Sequence, residues 1–383
     1  MMPTLHSSTN KKLFIVVNVD WFFLSHRLPI ALAAKQSGFD VTIVSFDTGR
    51  AAEIESHGLK FLNAPFSRSG TNISEELSLV IFLKKLYKKH RPDIVHHVTL
   101  KPAIYGSLAA RKVGIPIIIN AISGLGYNFT DGRKGVKQLI LGVLLKRAFG
   151  GSKLQFIFQN MDDVEVFKNM GMVGDDQQIH LIKGSGVDLN DFKFVPEPET
   201  EKLTILLPAR MLYDKGVAEF VRAAQSLKSK YADKVCFNLA GDIDPSNPAA
   251  ITEAELQAML DAPYINWIGY QISMARVLSD HHIIVLPSYR EGLPKSLIEA
   301  CAIGRPIITT DAPGCKECVT NGYNGFLVPV KDHVLIAEHL ETLINDKALR
   351  FTMGKNSRTT AEEMFSIENV INRTLEIYNR TNQ

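Results

Sequence analysis

Two doubly wound parallel α/β domains are the architecture this 383-residue sequence predicts. Three observations predict it. Short runs rich in Val, Ile and Phe alternate with longer amphipathic stretches, the rhythm of βαβ units. The alternation breaks once, near residue 196, in the polar, Pro-rich stretch PEPETEK, and then restarts. The length suits two or three domains of roughly 100–200 residues, and 45% apolar residues supply their cores. The expected domains are 1–195 and 200–362, both Rossmann-like and facing a central cleft, with the final helix (364–383) running back onto the first.

In the first domain KKLFIVVNVD reads as a strand ending at polar residues, and HRLPIALAAKQSG as a helix closed by Gly38. FDVTIVSFD is a strand, and EELSLVIFLKKLYKKHRP an amphipathic helix ended by Pro92. DIVHHVT is a strand, AIYGSLAARKVG a helix, IPIIINAIS a strand, KGVKQLILGVLLKRAF a long helix and LQFIFQN a strand. After the break LTILLPAR is a strand, GVAEFVRAAQSLKSK a helix and KVCFNLAG a strand. INWIGY and IIVLPS are strands, PKSLIEACAIG a helix, and PIITTD and GFLVPV strands. KDHVLIAEHLETLIND, ALRFTMGKNSRTTAEEMF and SIENVINRTLEIYNR complete the chain as helices. No solenoid repeat and no low-complexity segment interrupts this order.

No apolar run approaches the roughly 18 residues that span a bilayer, and MMPTLHSSTNKK lacks the apolar segment of a secretory signal. Four cysteines in a chain of this size point to a reduced, cytoplasmic protein. Residues 1–195 hold 24 Lys+Arg against 16 Asp+Glu, a net +8, whereas the remainder is −5. A basic half suits an anionic surface such as lipid headgroups or nucleic acid, although solvated faces alone also produce such a bias.

Ligands of an open parallel sheet sit past the carboxyl ends of its strands, and LPSYREGLPK occupies such an end. The helix after it starts near Pro294 or Lys295, and its exposed amides and dipole suit a phosphate. Gly292 lets backbone approach a ligand. Glu291 on the loop and Glu299 about a turn into the helix can accept hydrogen bonds from sugar and ribose hydroxyls. The same spacing fits an acid complementing the helix dipole beside a solvated acid. In LLPARMLYDKG, Arg210 and Lys215 follow another strand, and two cations there could stabilise a leaving diphosphate without a metal. Read alone, they also fit a loop arginine and a helix-start lysine, each in solvent.

Arg210 with Lys215, followed by Glu291-x7-Glu299, resembles the retaining glycosyltransferases of family 4, with the GT-B fold. FQNMDD, GSGVDL, LLPARMLYDKG, LAGDIDPSNPAAI, LPSYREGLPKSLIEA and GRPIITTDAPGCKE are similar to one bacterial branch, which builds capsule, O-antigen and glycoprotein oligosaccharides on undecaprenyl diphosphate. The resemblance covers most of residues 12–335. It implies that Arg210 and Lys215 bind the donor diphosphate, Glu291 the donor sugar and Glu299 the ribose. It places backbone of Gly292, Leu293, Pro294, Lys295 and Ser296 beside sugar and phosphates, Gly269 and Tyr270 at the nucleobase, and Gly241 and Asp242 near the donor. It implies a UDP-sugar donor, a polyprenyl-diphosphate-linked saccharide acceptor, no cofactor, no metal and no nucleic acid. A protein resting on the inner face of the cytoplasmic membrane is the expected location. A UDP-sugar 2-epimerase or hydrolase of the same architecture is the alternative, as is a non-catalytic sugar-nucleotide binder.

The resemblance also implies that the loop in NVDWFFLSHRLPIA reaches donor phosphates and acceptor, which makes Ser25, His26 and Arg27 candidates; helix-start residues capping backbone fit the same stretch. DIVHHVTLKPAIYG adds His96, His97, Thr99 and Lys101 on the acceptor side. Many relatives carry His-x-His here, whereas this chain has Val98 at the second histidine position. Adjacent strand residues face opposite ways, so at most one of the two histidines easily enters the cleft. Gly124-Leu-Gly126 lacks the third glycine of a dinucleotide fingerprint and reads as a loop over the acceptor. The helices LSLVIFLKKLYKKH and RKGVKQLILGVLLKRAF, with the loop LNAPFSRSGTN, could lie on an anionic membrane, or pack on the sheet with basic solvent faces. Cys315-Lys-Glu-Cys318 has no second pair to complete a zinc site and lies in the wrong place for a redox motif.

Overall fold

A computed structural model describes residues 10–66, 73–124, 136–150, 154–174, 177–245 and 247–380. These residues form two compact units. One takes in the described residues up to 185 and those from 370 onward; the other takes in 186–369.

The first unit carries a seven-stranded sheet, all of it parallel: β1 (Lys12–Val19), β2 (Asp40–Phe46), β3 (Lys60–Asn63), β4 (Ile94–Val98), β5 (Ile117–Ile122), β6 (Leu154–Phe158) and β7 (Gln178–Leu181), in the order β3-β2-β1-β4-β5-β6-β7. Its helices are α1 (Asp20–His26), α2 (Leu28–Gln36), α3 (Ala51–Ser56), α4 (Ile73–His90), α5 (Leu100–Val113), α6 (Val136–Phe149) and α7 (Met161–Asn169). The second unit has a six-stranded parallel sheet: β8 (Leu203–Pro208), β9 (Val235–Ala240), β10 (Ile265–Gly269), β11 (Ile283–Leu286), β12 (Ile307–Thr310) and β13 (Gly325–Val328), in the order β10-β9-β8-β11-β12-β13. With it go α8 (Val217–Tyr231), α9 (Glu253–Met259), α10 (Met274–Ser279), α11 (Lys295–Ile303), α12 (His333–Asn345) and α13 (Lys347–Thr360), and α14 (Ile367–Arg380) closes the chain. Both sheets are doubly wound, as the alternation of strand and helix runs predicts.

The central strands are buried along nearly their whole length, so they read as continuous apolar runs. The edge strands β3 and β7 bury little, and their sequences, KFLN and QIHL, carry too weak a pattern to be read as strands. The helix expected over 26–38 is α2, while the stretch before it, expected as a loop after β1, forms the short helix α1, with Arg27 between the two. Pro29 sits in the first turn of α2, where a missing N–H costs nothing.

The chain between the sheets is fastened to the second unit. The Arg305 guanidinium, 1% exposed, donates to the Val195 and Pro196 carbonyls, and Arg350 forms a two-pronged pair with Glu197. The last helix supplies Val370, Ile377 and Tyr378 to the core around β1 and β4. No helix among the described residues is long and apolar enough to cross a membrane.

Candidate active site

In the second sheet the strand order reverses between β8 and β11, and the segments leaving their carboxyl ends carry the candidate donor residues. After β8 the chain passes Arg210, makes a 3₁₀ turn over Tyr213–Lys215 and enters α8 through Gly216. Gly216 is left-handed (φ 74°), and a Cβ there would collide with the Pro287 carbonyl. The turn therefore packs directly on the loop after β11. A further bond locks them: Tyr289 N donates to the Asp214 carbonyl at 2.9 Å, with Ser288 Oγ 3.1 Å from the same carbonyl.

This packing joins the Lys215 ammonium to the Glu291 carboxylate in an ion pair with both side chains largely covered. Ser288 Oγ donates to the same carboxylate oxygen at 2.8 Å. The Glu291 backbone is braced from behind, its N–H donating to the Pro313 carbonyl. Asp214 lies beside the pair. Burial raises its pKa, as does Glu291, while Lys215 and Arg210 oppose the rise; its Oδ1 is buried without a hydrogen-bond partner among the described residues. Arg210 is half exposed and bound to Asp244 at 2.6 Å. Such an exposed pair is worth about 0–1 kcal/mol, so the guanidinium can exchange partners at small cost.

Gly241 and Asp242 follow β9, where the Gly241 amide donates to the Gly269 carbonyl and the Asp242 carbonyl accepts from Met211. Gly269 ends β10 and Tyr270 beyond it is 72% exposed. Pro294 is the N-cap of α11, and no side chain caps that helix start. Leu293 is buried with Leu297 and Ile298, so only its backbone can face a ligand; Gly292 is buried and Ser296 half-buried. Glu299 is buried on α11, with Lys295 Nζ 3.5 Å from its Oε1. Burial pushes its carboxyl up to about 7, and Lys295 only partly offsets this.

In the first sheet the order reverses between β1 and β4. Ser25 is exposed on α1, and the His26 ring stacks on Phe22 with centroids 4.2 Å apart. Arg27 is buried; it donates to the His26 carbonyl at 3.0 Å and to Ser123 Oγ at 3.4 Å, while its Nε has no hydrogen-bond partner among the described residues. Burial lowers its pKa to about 10. His96 and His97 face opposite sides of β4, as adjacent strand residues must. His96 Nδ1 lies 2.6 Å from the Tyr378 hydroxyl and its Nε2 has no partner among the described residues; burial and the Arg27 charge keep the ring neutral. His97 Nδ1 donates to Asn120 Oδ1 at 2.9 Å, and its Nε2 accepts from the Tyr87 hydroxyl at 3.0 Å. Burial lowers its pKa to about 4. Lys101 pairs with Glu76 at 2.8 Å, and Thr99 Oγ1 donates to Asn18 Oδ1 at 2.8 Å.

Lys215 and Glu291 thus form one cluster and Arg27 and His96 another, while His97 and Lys101 are engaged elsewhere. The sequence reading did not single out Asp214, Ser288, Asp244, Tyr378 or Asn18. Asp214 and Ser288 stand inside the motifs already quoted, whereas Tyr378 lies 282 residues from its partner and leaves no local signal. Cys315 and Cys318 are buried and not joined in a disulfide. Leu125 and Gly126 of the Gly124–Gly126 reading and part of the 62–72 loop fall outside the described residues.

Residues 12–160 match the family model described as "Glycosyl transferase 4-like", and residues 189–360 that described as "Glycosyl transferases group 1". The chain is 30% identical to the N,N'-diacetylbacillosaminyl-diphospho-undecaprenol alpha-1,3-N-acetylgalactosaminyltransferase of Campylobacter jejuni, over 94% of this chain and 98% of that one. It is 25% identical to the UDP-Gal:alpha-D-GlcNAc-diphosphoundecaprenol alpha-1,3-galactosyltransferase of Escherichia coli, over 89% of each. The crystal structure of Anabaena Alr3699/HepE in complex with UDP and glucose superposes with a TM-score of 0.76 at 16% identity, covering 96% of this chain and 99% of that one. The chain therefore belongs to the family 4 glycosyltransferases, with two Rossmann-like units of GT-B type, a 4-like unit followed by a group 1 unit.

Proposed function

We propose that the enzyme moves a sugar, an N-acetylhexosamine such as GalNAc or GlcNAc, from a UDP-sugar to a hydroxyl of an undecaprenyl-diphosphate-linked saccharide, with retention of anomeric configuration, in O-antigen, capsule or glycoprotein glycan assembly. The observation that carries this reading is the cluster of Lys215, Glu291, Ser288 and Asp214 at the β8/β11 reversal, next to the start of α11. The named acceptors of the Campylobacter and Escherichia relatives support the lipid-linked substrate.

In this reading Arg210 and Lys215 stabilise charge growing on the departing diphosphate, and the amides at Lys295 and Ser296 add to them. Glu291 accepts hydrogen bonds from the donor sugar and Glu299 from the ribose. Gly241, Asp242, Gly269 and Tyr270 border the nucleotide, and Gly292, Leu293 and Pro294 contribute backbone. As UDP leaves, positive charge develops at the anomeric carbon; the acceptor hydroxyl attacks the same face and its proton passes to the departing phosphate. Ser25, His26, Arg27, His96, His97, Thr99 and Lys101 serve the acceptor side, His97 and Lys101 through the partners they already hold.

We also place the enzyme on the inner, anionic leaflet of the cytoplasmic membrane. On α4, Leu77 and Ile81 are 60% and 54% exposed, and the exposed Lys84 and Lys88 continue the same helix face. Apolar side chains followed by lysines suit an acidic lipid surface. The test is incubation with a panel of UDP-sugars and undecaprenyl-diphosphate saccharides, with product mass measured. One pairing is expected to yield an acceptor heavier by one sugar. UDP release that needs no acceptor would favour the hydrolase or epimerase alternative, and no turnover with any pairing would end the transferase reading.

A further inference from the structure

Thr99 adopts φ 72°, ψ 164°, a region that only glycine enters freely. A β-branched residue there is strained, and the surroundings hold it in place. Its N–H donates to the Ala121 carbonyl of β5 at 2.9 Å, and its carbonyl accepts the first bond of α5, from Ala103, at 3.1 Å. Its hydroxyl is committed as well, donating to Asn18 Oδ1 at 2.8 Å.

The position of this contact gives it meaning. β1 and β4 run side by side as far as Val16 opposite His97, and just beyond that pair the Thr99 hydroxyl reaches the Asn18 side chain. Both lie at the carboxyl ends of the two strands between which the sheet order reverses, where open α/β sheets take their ligands. The bond from Thr99 occupies the Asn18 carbonyl oxygen. Asn18 is half-buried, and its amide nitrogen is left without a hydrogen-bond partner among the described residues.

We propose that Asn18 is a specificity-determining residue of the first unit, donating from its amide nitrogen to an oxygen of the saccharide acceptor, and that Thr99 is a positioning residue whose strained backbone aims it. The inference rests on the transferase reading above. In this strained conformation the Thr99 hydroxyl reaches Asn18, so the backbone and the contact are held together.

The test compares Thr99→Gly, Thr99→Ser and Asn18→Ala in the full chain, with melting temperature, kcat, and KM for acceptor and for UDP-sugar measured separately. Glycine accepts this backbone without strain, so Thr99→Gly is expected to melt no lower than the parent. Its kcat/KM for acceptor is expected to fall about tenfold or more, the loss of one hydrogen bond that positions a polar contact. KM for UDP-sugar is expected to stay within about twofold. Thr99→Ser, which keeps the hydroxyl, restores most of the rate. Asn18→Ala matches Thr99→Gly, and the double variant is no worse than either. Acceptor kinetics unchanged in Thr99→Gly, a defect confined to UDP-sugar, or losses that simply add would each overturn the proposal while leaving the transferase reading intact. Absence of transfer by the parent enzyme would overturn both.

Discussion

Lys215 and Glu291 stand 76 residues apart, yet they share one ion pair whose two ends are largely covered. Removing the lysine deletes a cation from the proposed diphosphate site and strands a carboxylate in a half-buried pocket. Lys215→Ala is expected to lower kcat by about 10²–10³ and to reduce the melting temperature; an unchanged transfer rate would remove Lys215 from the mechanism. Glu299 gives a pH signature. Its carboxyl titrates near 7 in the folded enzyme against an ordinary 4.5, so below 4.5 its neutral form costs nothing extra. Stability from this group is lost as pH rises from 4.5 through 7, by at most about 1.4 kcal/mol per pH unit. Ribose hydroxyls donating to Glu299 favour the ionised form, so UDP affinity is expected to weaken as pH falls below 7. Calorimetric titration with UDP between pH 6 and 8 checks this, and Glu299→Gln is expected to flatten both dependences.

At the scale of elements, the site depends on two chain segments that touch through backbone. Gly216 is where the turn after β8 meets the loop after β11, and it holds a left-handed conformation against the Pro287 carbonyl. Gly216→Ala is expected to cost more than about 1 kcal/mol, because a Cβ meets both a strained φ and an immovable carbonyl. The melting temperature should fall, and transfer should fall further than the folded fraction alone accounts for, since Lys215 moves with the turn. Substitution without effect on either would mean the loop yields where the packing says it cannot. The edge strands teach the converse. β3 and β7 have one free side each and few buried residues, so they add hydrogen bonds to the sheet without an apolar pattern that a reader could recognise.

For the whole molecule, the last helix closes the core of the first unit. Val370, Ile377 and Tyr378 are each at most 4% exposed, and burial of such side chains contributes about 1.5–3 kcal/mol apiece. A chain ending at Ser366 loses a large part of a typical stability of about 5–15 kcal/mol, together with the hydroxyl that holds His96. It is expected to be insoluble or to show a non-cooperative melt; a soluble, cooperatively folded truncation would show that α14 is dispensable. The charge division, +8 up to residue 195 against −5 beyond it, bears on the membrane proposal. The enzyme is expected to sediment with vesicles of anionic lipid at low salt and to release as salt rises. Replacing Leu77 and Ile81 with serine should weaken that binding, and equal binding to zwitterionic vesicles would contradict it.

Much of this was legible without coordinates. The alternation of buried strand and amphipathic helix follows from local pattern, because a parallel strand buries both faces, whereas the compact units divide at 185/186 and not at the polar stretch near 196. Facing could be read for His96 and His97, since neighbours on a strand diverge. What only the folded chain decided is which distant groups meet: Lys215 with Glu291, His96 with Tyr378, Thr99 with Asn18, and Arg305 with the segment linking the sheets. Local periodicity records how a segment buries itself; it carries no record of the partner waiting on another strand, because that meeting is set by how the sheets order their strands and how the loops pack upon one another.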